Sequence, residues 1–315
     1  MKKISFAFAL GFVLALATAA QAQTNNHSFV AGNGSGTACT FTNPCATFTA
    51  AISATVSGGT ITCVDQGANA VGNAVVAIPI SKSITIDCAG TSAGAYAVSI
   101  SGDGIVVRLR NLTISTIGIT GGNIGVDFQN GAALFIENCV IDSWNAGIGA
   151  GIHFAPTSGT AKLHVTDSVI RNNGVPAGGA GIWVVPGSGA QARVAIERTV
   201  VENNTYGVIA DGSVGTALVE LKDSTIANNA INGIWAYTGG MTSSIMVDHT
   251  VSNYNGGSGA VATGTSAFVS LSDSTVVGNA TGLSAGSGGS IGSYGNNRIN
   301  GNVSAGVTPT SIGLK

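Results

Sequence analysis

The octet Lys222-Asp223-Ser224-Thr225-Ile226-Ala227-Asn228-Asn229 recurs along the chain, and its recurrence limits the fold more than any other feature. Before it stand Thr166-Asp167-Ser168-Val169-Ile170-Arg171-Asn172-Asn173 and Glu197-Arg198-Thr199-Val200-Val201-Glu202-Asn203-Asn204. After it come Asp248-His249-Thr250-Val251-Ser252-Asn253-Tyr254-Asn255 and Ser272-Asp273-Ser274-Thr275-Val276-Val277-Gly278-Asn279. A unit repeated about every 25 residues cannot bury its apolar side alone and must stack on its neighbours, so the chain reads as a solenoid.

Aligning the units gives a column of residues just after a corner: Cys63, Cys88, Leu112, Cys139, Ser168, Thr199, Ser224, Thr250, Ser274 and Arg298. Spacings range from 24 residues (Cys88 to Leu112) to 31 (Ser168 to Thr199). Each unit carries three short runs with period-2 alternation, such as Leu163-His164-Val165 and Gly181-Ile182-Trp183-Val184, parted by Gly, Asn and Asp corners. This pattern predicts an all-β parallel β-helix of about ten coils, because runs this short cannot form ordinary helices. A second column, Asn173, Asn204, Asn229, Asn255 and Asn279, predicts an interior asparagine ladder, since Asn suits left-handed corners and stacked amides bond along an axis. Phe48, Ala51, Ile52 and Val56 follow helical spacing and predict a short N-terminal helix that caps the open core. The insertion at 174–180 lengthens one corner, and solenoid insertions gather on the binding face.

Lys2 and Lys3 precede an apolar run over 4–20 that ends in Ala20-Gln21-Ala22, which reads as a cleavable signal peptide. The expected organisation is therefore a signal peptide at 1–22, an N-terminal segment with the capping helix at 23–57, the β-helix at 58–305 and a tail at 306–315. No later segment is apolar enough to span a bilayer. A secreted or periplasmic protein follows, in an oxidising compartment where Cys39–Cys45 and Cys63–Cys88 are expected to pair. Cys63 and Cys88 are one repeat apart, and stacked coils bring such positions to about 4.8 Å, within disulfide reach. Cys139 is left as a buried free thiol. The formal charge of −2 on 315 residues excludes a nucleic-acid binder, which needs clustered Lys and Arg.

Together with the repeats, Asn43-Pro44-Cys45-Ala46-Thr47-Phe48-Thr49-Ala50-Ala51-Ile52 followed by Gly58-Gly59-Thr60-Ile61 resembles the cap and first strand of right-handed parallel β-helix proteins of the pectin-lyase-like superfamily. The resemblance implies a right-handed helix and covers roughly residues 43–305. That superfamily holds lyases, hydrolases, epimerases, tailspikes and adhesins, so it implies no single activity. The Asn-Thr-Asp, Asp-Asp, Gly-His-Asp and Arg-Ile-Lys signatures of its polygalacturonase-like hydrolases do not occur here.

Two candidate sites follow from the columns. At one corner the stacked residues read Glu137, Thr166, Glu197, Lys222, Asp248, and beside them Asn138, Asp167, Arg198, Asp223, His249, Asp273. Glu197, Arg198, Lys222 and Asp223 are the catalytic candidates of a pectate-lyase-like reading, the only reading that would call for calcium. Their alternating signs suit stacked ion pairs better, since a calcium site gathers carboxylates of one sign. The third run of each coil offers His153, Trp183, Ile209, Trp235 and Val261 outward, with Asp211 and Tyr237 two residues on. His153, Trp183, Asp211, Trp235 and Tyr237 are the expected carbohydrate-binding residues, and the partner an extended polysaccharide or cell-surface glycan. The leading expectation is a non-catalytic recognition or structural protein without cofactor or metal, followed by a polysaccharide lyase and then an adhesin-like surface protein.

Overall fold

A computed structural model describes residues 25–65, 77–89, 94–95, 97–116, 123–175 and 178–313. The expected signal peptide at 1–22 lies outside the described residues. One coil shows how the sequence builds the whole. Thr160–Thr166 is extended and turns Ala161, Leu163 and Val165 inward at 0% exposure. Asp167 then takes a left-handed φ of 52°, a conformation that Asp and Asn tolerate better than other non-glycine residues. Val169–Arg171 buries Ile170, Asn172 makes a second left-handed corner at φ 56°, and Ala180–Val184 buries Ile182 and Val184.

Among the described residues every strand pairs in parallel with its counterpart one coil away, giving a first sheet of 12 strands, a second of 9 and a third of 10. The core is a set of stacked columns. One runs Ile136, Val165, Ile196, Leu221, Val247 and Leu271, each essentially sealed from solvent. A slip of one residue would turn such a column outward, so burial fixes the register.

Two polar ladders run through this apolar interior. At the second corner Asn204 Nδ2 donates to Asn229 Oδ1 at 3.1 Å and Asn229 Nδ2 to Asn255 Oδ1 at 2.9 Å. Each oxygen also accepts the backbone N–H of the asparagine one coil back, as Asn229 Oδ1 does from Asn204 at 3.0 Å. The remaining amide hydrogen reaches a strand carbonyl, Val201 O for Asn229 at 3.3 Å. The ladder extends one rung past Asn279 to Asn302, at 2.9 Å. At its other end Trp144 takes the place of an asparagine, its backbone N–H donating to Asn173 Oδ1 and its indole N–H to Ile114 O. The left-handed residues are Asn172, Asn203, Asn228 and Tyr254, each one position before the ladder. Hydrogen bonding, not backbone conformation, therefore selects the ladder asparagines, which corrects the turn argument made from sequence.

The first corner has a hydroxyl ladder. Ser224 Oγ donates to Lys222 O at 2.7 Å and accepts Thr199 N–H at 3.2 Å, and Thr250 and Ser274 repeat the arrangement. Its last member is Asn297, whose Oδ1 accepts Ser274 N–H at 2.8 Å. The strand register pairs Arg298 with Thr275, so Arg298 stands one residue outside the column that the sequence alignment gave it.

The two ends are closed differently. Helix α1 (Phe48–Ala54), N-capped by Thr47, buries Phe48, Ala51 and Ile52 over the first coil. Asn25–Val30, part of the N-terminal segment, is a strand on the first sheet beside Thr55–Cys63, with the Thr55 hydroxyl donating to Ser28 Oγ at 2.7 Å. Only Ser28 and Val30 turn fully inward there, too short an alternation to read as a strand. At the C-terminal end the described residues include no helix; the core columns turn polar or small instead. Leu271 is followed by Ser293 and Ser311, and Leu283 by Gly306. The expected tail at 306–315 thus contributes a last short strand, Thr310–Ser311.

Both expected disulfides are present, with Cα separations of 4.6 Å for Cys39–Cys45 and 4.7 Å for Cys63–Cys88. Closing the 25-residue loop between Cys63 and Cys88 constrains the unfolded chain by about 3.5 kcal/mol in the chain-entropy account. Cys139 is free and buried, and burial pushes its thiol up to about 11.

The ladder predicts a position-dependent cost. Asn229→Leu strands several buried donors and acceptors and should destabilise by about 3 kcal/mol or more. Asn302→Leu, on the partly exposed last rung, should cost about 1 kcal/mol by the same principle. Urea denaturation of the two variants measures the difference; equal costs would contradict a continuous interior ladder.

Candidate functional site

The third sheet positions the aromatic residues. Its outward column pairs Asp127 with His153, His153 with Trp183, Trp183 with Ile209, Ile209 with Trp235 and Trp235 with Val261. Successive rungs are about 4.8 Å apart, which puts Trp183 and Trp235 about 10 Å from each other. The two tryptophans, Tyr206 and Tyr237 are all half-buried. Trp235 lies 5.3 Å from the Tyr206 ring and 5.4 Å from the Tyr237 ring, and its Nε1 donates to Thr263 Oγ1 at 3.1 Å. Ile209 points outward between the tryptophan rungs yet is only 6% exposed. Val214 and Met241 are exposed in the turns that follow the strands of Ile209 and Trp235.

One end of the column is polar. His153 Nδ1 lies 2.8 Å from Asp127 Oδ1, and Gln129 Nε2 donates to Asp127 Oδ2 at 2.7 Å. A carboxylate only accepts, so Nδ1 carries the proton and Nε2 faces outward as the second ring position. Burial alone would raise the Asp127 carboxyl, but the hydrogen bonds from His153 and Gln129 outweigh it and hold the group below its ordinary value. The His153 ring meets Trp183 edge-on at 5.8 Å. Trp183 Nε1 is sealed from solvent with no hydrogen-bond partner among the described residues, a deficit of about 1–3 kcal/mol.

His153, Trp183, Asp211, Trp235 and Tyr237 therefore share one face, as their spacing predicts. Asp211 is partly committed to a local turn, accepting Ser213 N–H at 2.9 Å and its hydroxyl at 2.5 Å. The sequence reading missed Asp127, which lies in register with His153, and Tyr206, which pairs with Ala180 and reaches Trp235 only through its ring. The insertion at 174–180 is anchored at the second corner: Gly174 N–H donates to Trp144 O, and Thr205 Oγ1 to Val175 O. Residues 176–177 lie outside the described residues.

The charged corner is a set of ion pairs, though not in the pairing its alternation suggests. Arg198 reaches back one coil to Asp167, bidentate at 2.7 and 3.0 Å, and sideways to Glu197 at 3.2 Å. Lys222 and Asp223 are exposed and form no ion pair among the described residues, so the expected Glu197–Lys222 and Arg198–Asp223 contacts are not made. The Asp167 hydrogen bonds raise the Arg198 pKa and keep it protonated, which opposes a role as general base. Arg198, Asp223, His249 and Asp273 all hold left-handed backbone with φ between 44° and 49°. His249 bridges Asp248 at 3.1 Å and Asp273 at 3.3 Å, and these carboxylates raise its pKa. No group of three or more His, Cys, Asp or Glu among the described residues could hold a metal ion. Gly282-Leu283-Ser284-Ala285-Gly286 spells a nucleophile elbow, but it lies within the strand Thr281–Gly286 and lacks the strand-to-helix turn an elbow requires.

A second outward cluster lies on the first sheet. The Arg108 guanidinium sits 3.9 Å from the Phe135 ring centre, and the His164 ring stacks on Phe135 at 5.2 Å. Arg108, Phe135 and His164 are register partners on three successive rungs, a stack that no repeat in the sequence announces.

Three parallel sheets wound around one columnar core make the protein a right-handed parallel β-helix. The family model described as "Right handed beta helix region" matches residues 50–220, and the chain belongs to that family. Among solved structures it is similar to pectate lyase Pel9A, with a TM-score of 0.58 and 14% identity, over 91% of this chain and 77% of that one. Such a low identity speaks for the shared fold alone. No curated protein matches the chain in sequence.

The titrations have opposite signs. Asp127 is depressed in the fold, so its stabilisation is present above the ordinary carboxylate value of about 3.9 and lost as pH falls through the lower folded value. His249 is raised, so its contribution is present below about 6.5 and lost as pH rises through the folded value. Urea midpoints measured across pH should show Asp127→Asn less stable at neutrality with a shallower acid decline. His249→Asn should flatten only the profile above about pH 6.5.

Proposed function

We propose that this β-helix is a non-catalytic recognition protein that lays an extended polysaccharide along the aromatic face of the third sheet. The observation that carries the reading is the row of half-buried Trp183 and Trp235 on either side of the buried Ile209, with half-buried Tyr206 and Tyr237 beside Trp235. Contiguous exposed apolar surface on a soluble domain marks an interaction site, and aromatic rings offer flat faces with a polar tip. The parallel stacking repeats the same outward direction every coil, which suits a polymer lying along the axis. The two disulfides are compatible with an extracellular location, where such polymers are met. Among the described residues no helix is long and apolar enough to cross a membrane.

The lyase alternative, through Glu197, Arg198, Lys222 and Asp223 with calcium as its metal, has less support. It needs a free basic group beside the substrate, and with Arg198 tied to Asp167 and Glu197 that role falls to Lys222 alone, with no group of three carboxylates among the described residues to hold the calcium beside it.

Binding to a polysaccharide panel, together with an ultraviolet assay for unsaturated products, separates the two. Trp183→Ala and Trp235→Ala should each weaken glycan binding by about 2 kcal/mol, the size of an interface hot spot, while no product forms. Unsaturated product lost in Lys222→Ala would replace the recognition reading with the lyase one.

A further inference from the structure

We infer that the polysaccharide taken by the aromatic face is uncharged, an inference that rests on the recognition reading above. The charges of the coils that carry the face are segregated. The stretches 143–160, 172–191 and 228–243, each running from the second corner through the third sheet to the start of the first, hold no Asp, Glu, Lys or Arg. The corresponding stretch 203–216 holds only Asp211. The ten strands of the third sheet contain two carboxylates, Asp127 and Asp211, and no Lys or Arg. The basic residues of the same coils, Lys162, Arg171, Arg193, Arg198 and Lys222, all lie on the first sheet, the first corner or the second sheet.

A polyuronate or sulfated chain laid over Trp183 and Trp235 would pass Asp127 at one end and Asp211 beside its path, with no cation on the face to offset either. Like charges brought together at an interface reject the wrong partner. Charges beside apolar surface are also screened less than in open water. A neutral sugar meets neither penalty. Its C–H face lies against the electron-rich face of an indole, and its hydroxyls can donate to Asp127, Asp211 and, in the neutral ring, His153 Nε2. That nitrogen has no hydrogen-bond partner among the described residues, and its tautomer is set by Asp127.

The test compares binding of the intact protein to neutral polymers (cellooligosaccharide, xylan backbone oligomers and galactomannan) and to polygalacturonate and alginate at low salt. At least one neutral polymer should bind about tenfold or more tighter than either polyuronate, as expected where repulsion adds to the difference. That binding should be lost in Trp183→Ala and Trp235→Ala and kept in a Lys162→Ala/Arg193→Ala double variant. Val214 is 53% exposed and Met241 45%, so lysines there leave the core untouched. The Val214→Lys/Met241→Lys protein should narrow the gap between neutral and acidic polymers several-fold. A polyuronate bound as tightly as the neutral polymers, through the tryptophans, would overturn the uncharged ligand and leave glycan recognition at this face standing. A gap that the two lysines leave unchanged would also count against the uncharged ligand. Absence of any tryptophan-dependent binding, with the lysine variant folded and equally inert, would overturn the recognition reading itself.

Discussion

Each interior asparagine of the second corner satisfies its whole amide at once, and the coil stack depends on that arrangement. Asn229 accepts two hydrogen bonds from Asn204 and donates to Asn255 and to Val201 O. A buried amide left partly unpaired is costly, so the ladder tolerates only coils that arrive in phase. The apolar columns around it have the same demand, because one residue of slip would expose them. Phase-locked coils then dictate the outside of the molecule. Whatever points outward on one rung has a neighbour about 4.8 Å above and below.

That repetition explains both outward clusters and the charged corner. Residues in one column are forced into contact, so a column must be compatible with itself. Arg198 between Asp167 and Glu197, and His249 between Asp248 and Asp273, are local solutions at positions that also require left-handed backbone. Arg does not favour that conformation, and each of the two is held by one carboxylate across a rung, Asp167 or Asp273, and one beside it in its own coil, Glu197 or Asp248. On the third sheet the column is aromatic instead, and Tyr206, Trp235 and Tyr237 gather into one surface.

The architecture was legible because its signals are periodic. The octet, the asparagine column and the alternating runs each repeat, and a repeat that fails to stack leaves its apolar side wet. What escaped the sequence is what does not repeat. Asn302 and Asn297 end the two ladders inside Gly- and Asn-rich sequence that lacks the octet, and Asn25–Val30 offers only Ser28 and Val30 as an inward pair. The aromatic face was legible as a direction, since the column assignment fixes which way Trp183 and Trp235 point. Side-chain partners were not: nothing in the spacing shows that Arg198 turns back to Asp167 rather than on to Asp223, or that His153 locks onto Asp127.

The chain's three tryptophans stand in three different settings, and that makes the central claim directly measurable. Trp144 Nε1 is bonded to Ile114 O inside the core, Trp235 Nε1 to Thr263 Oγ1 on the face, and Trp183 Nε1 is sealed without a partner among the described residues. Indole N–H signals of nitrogen-15-labelled protein, titrated with a neutral oligosaccharide, report each one separately. Recognition along the third sheet predicts that the Trp183 and Trp235 signals move together with one affinity while Trp144 stays fixed. Saturable binding that leaves both face indoles unmoved would contradict it.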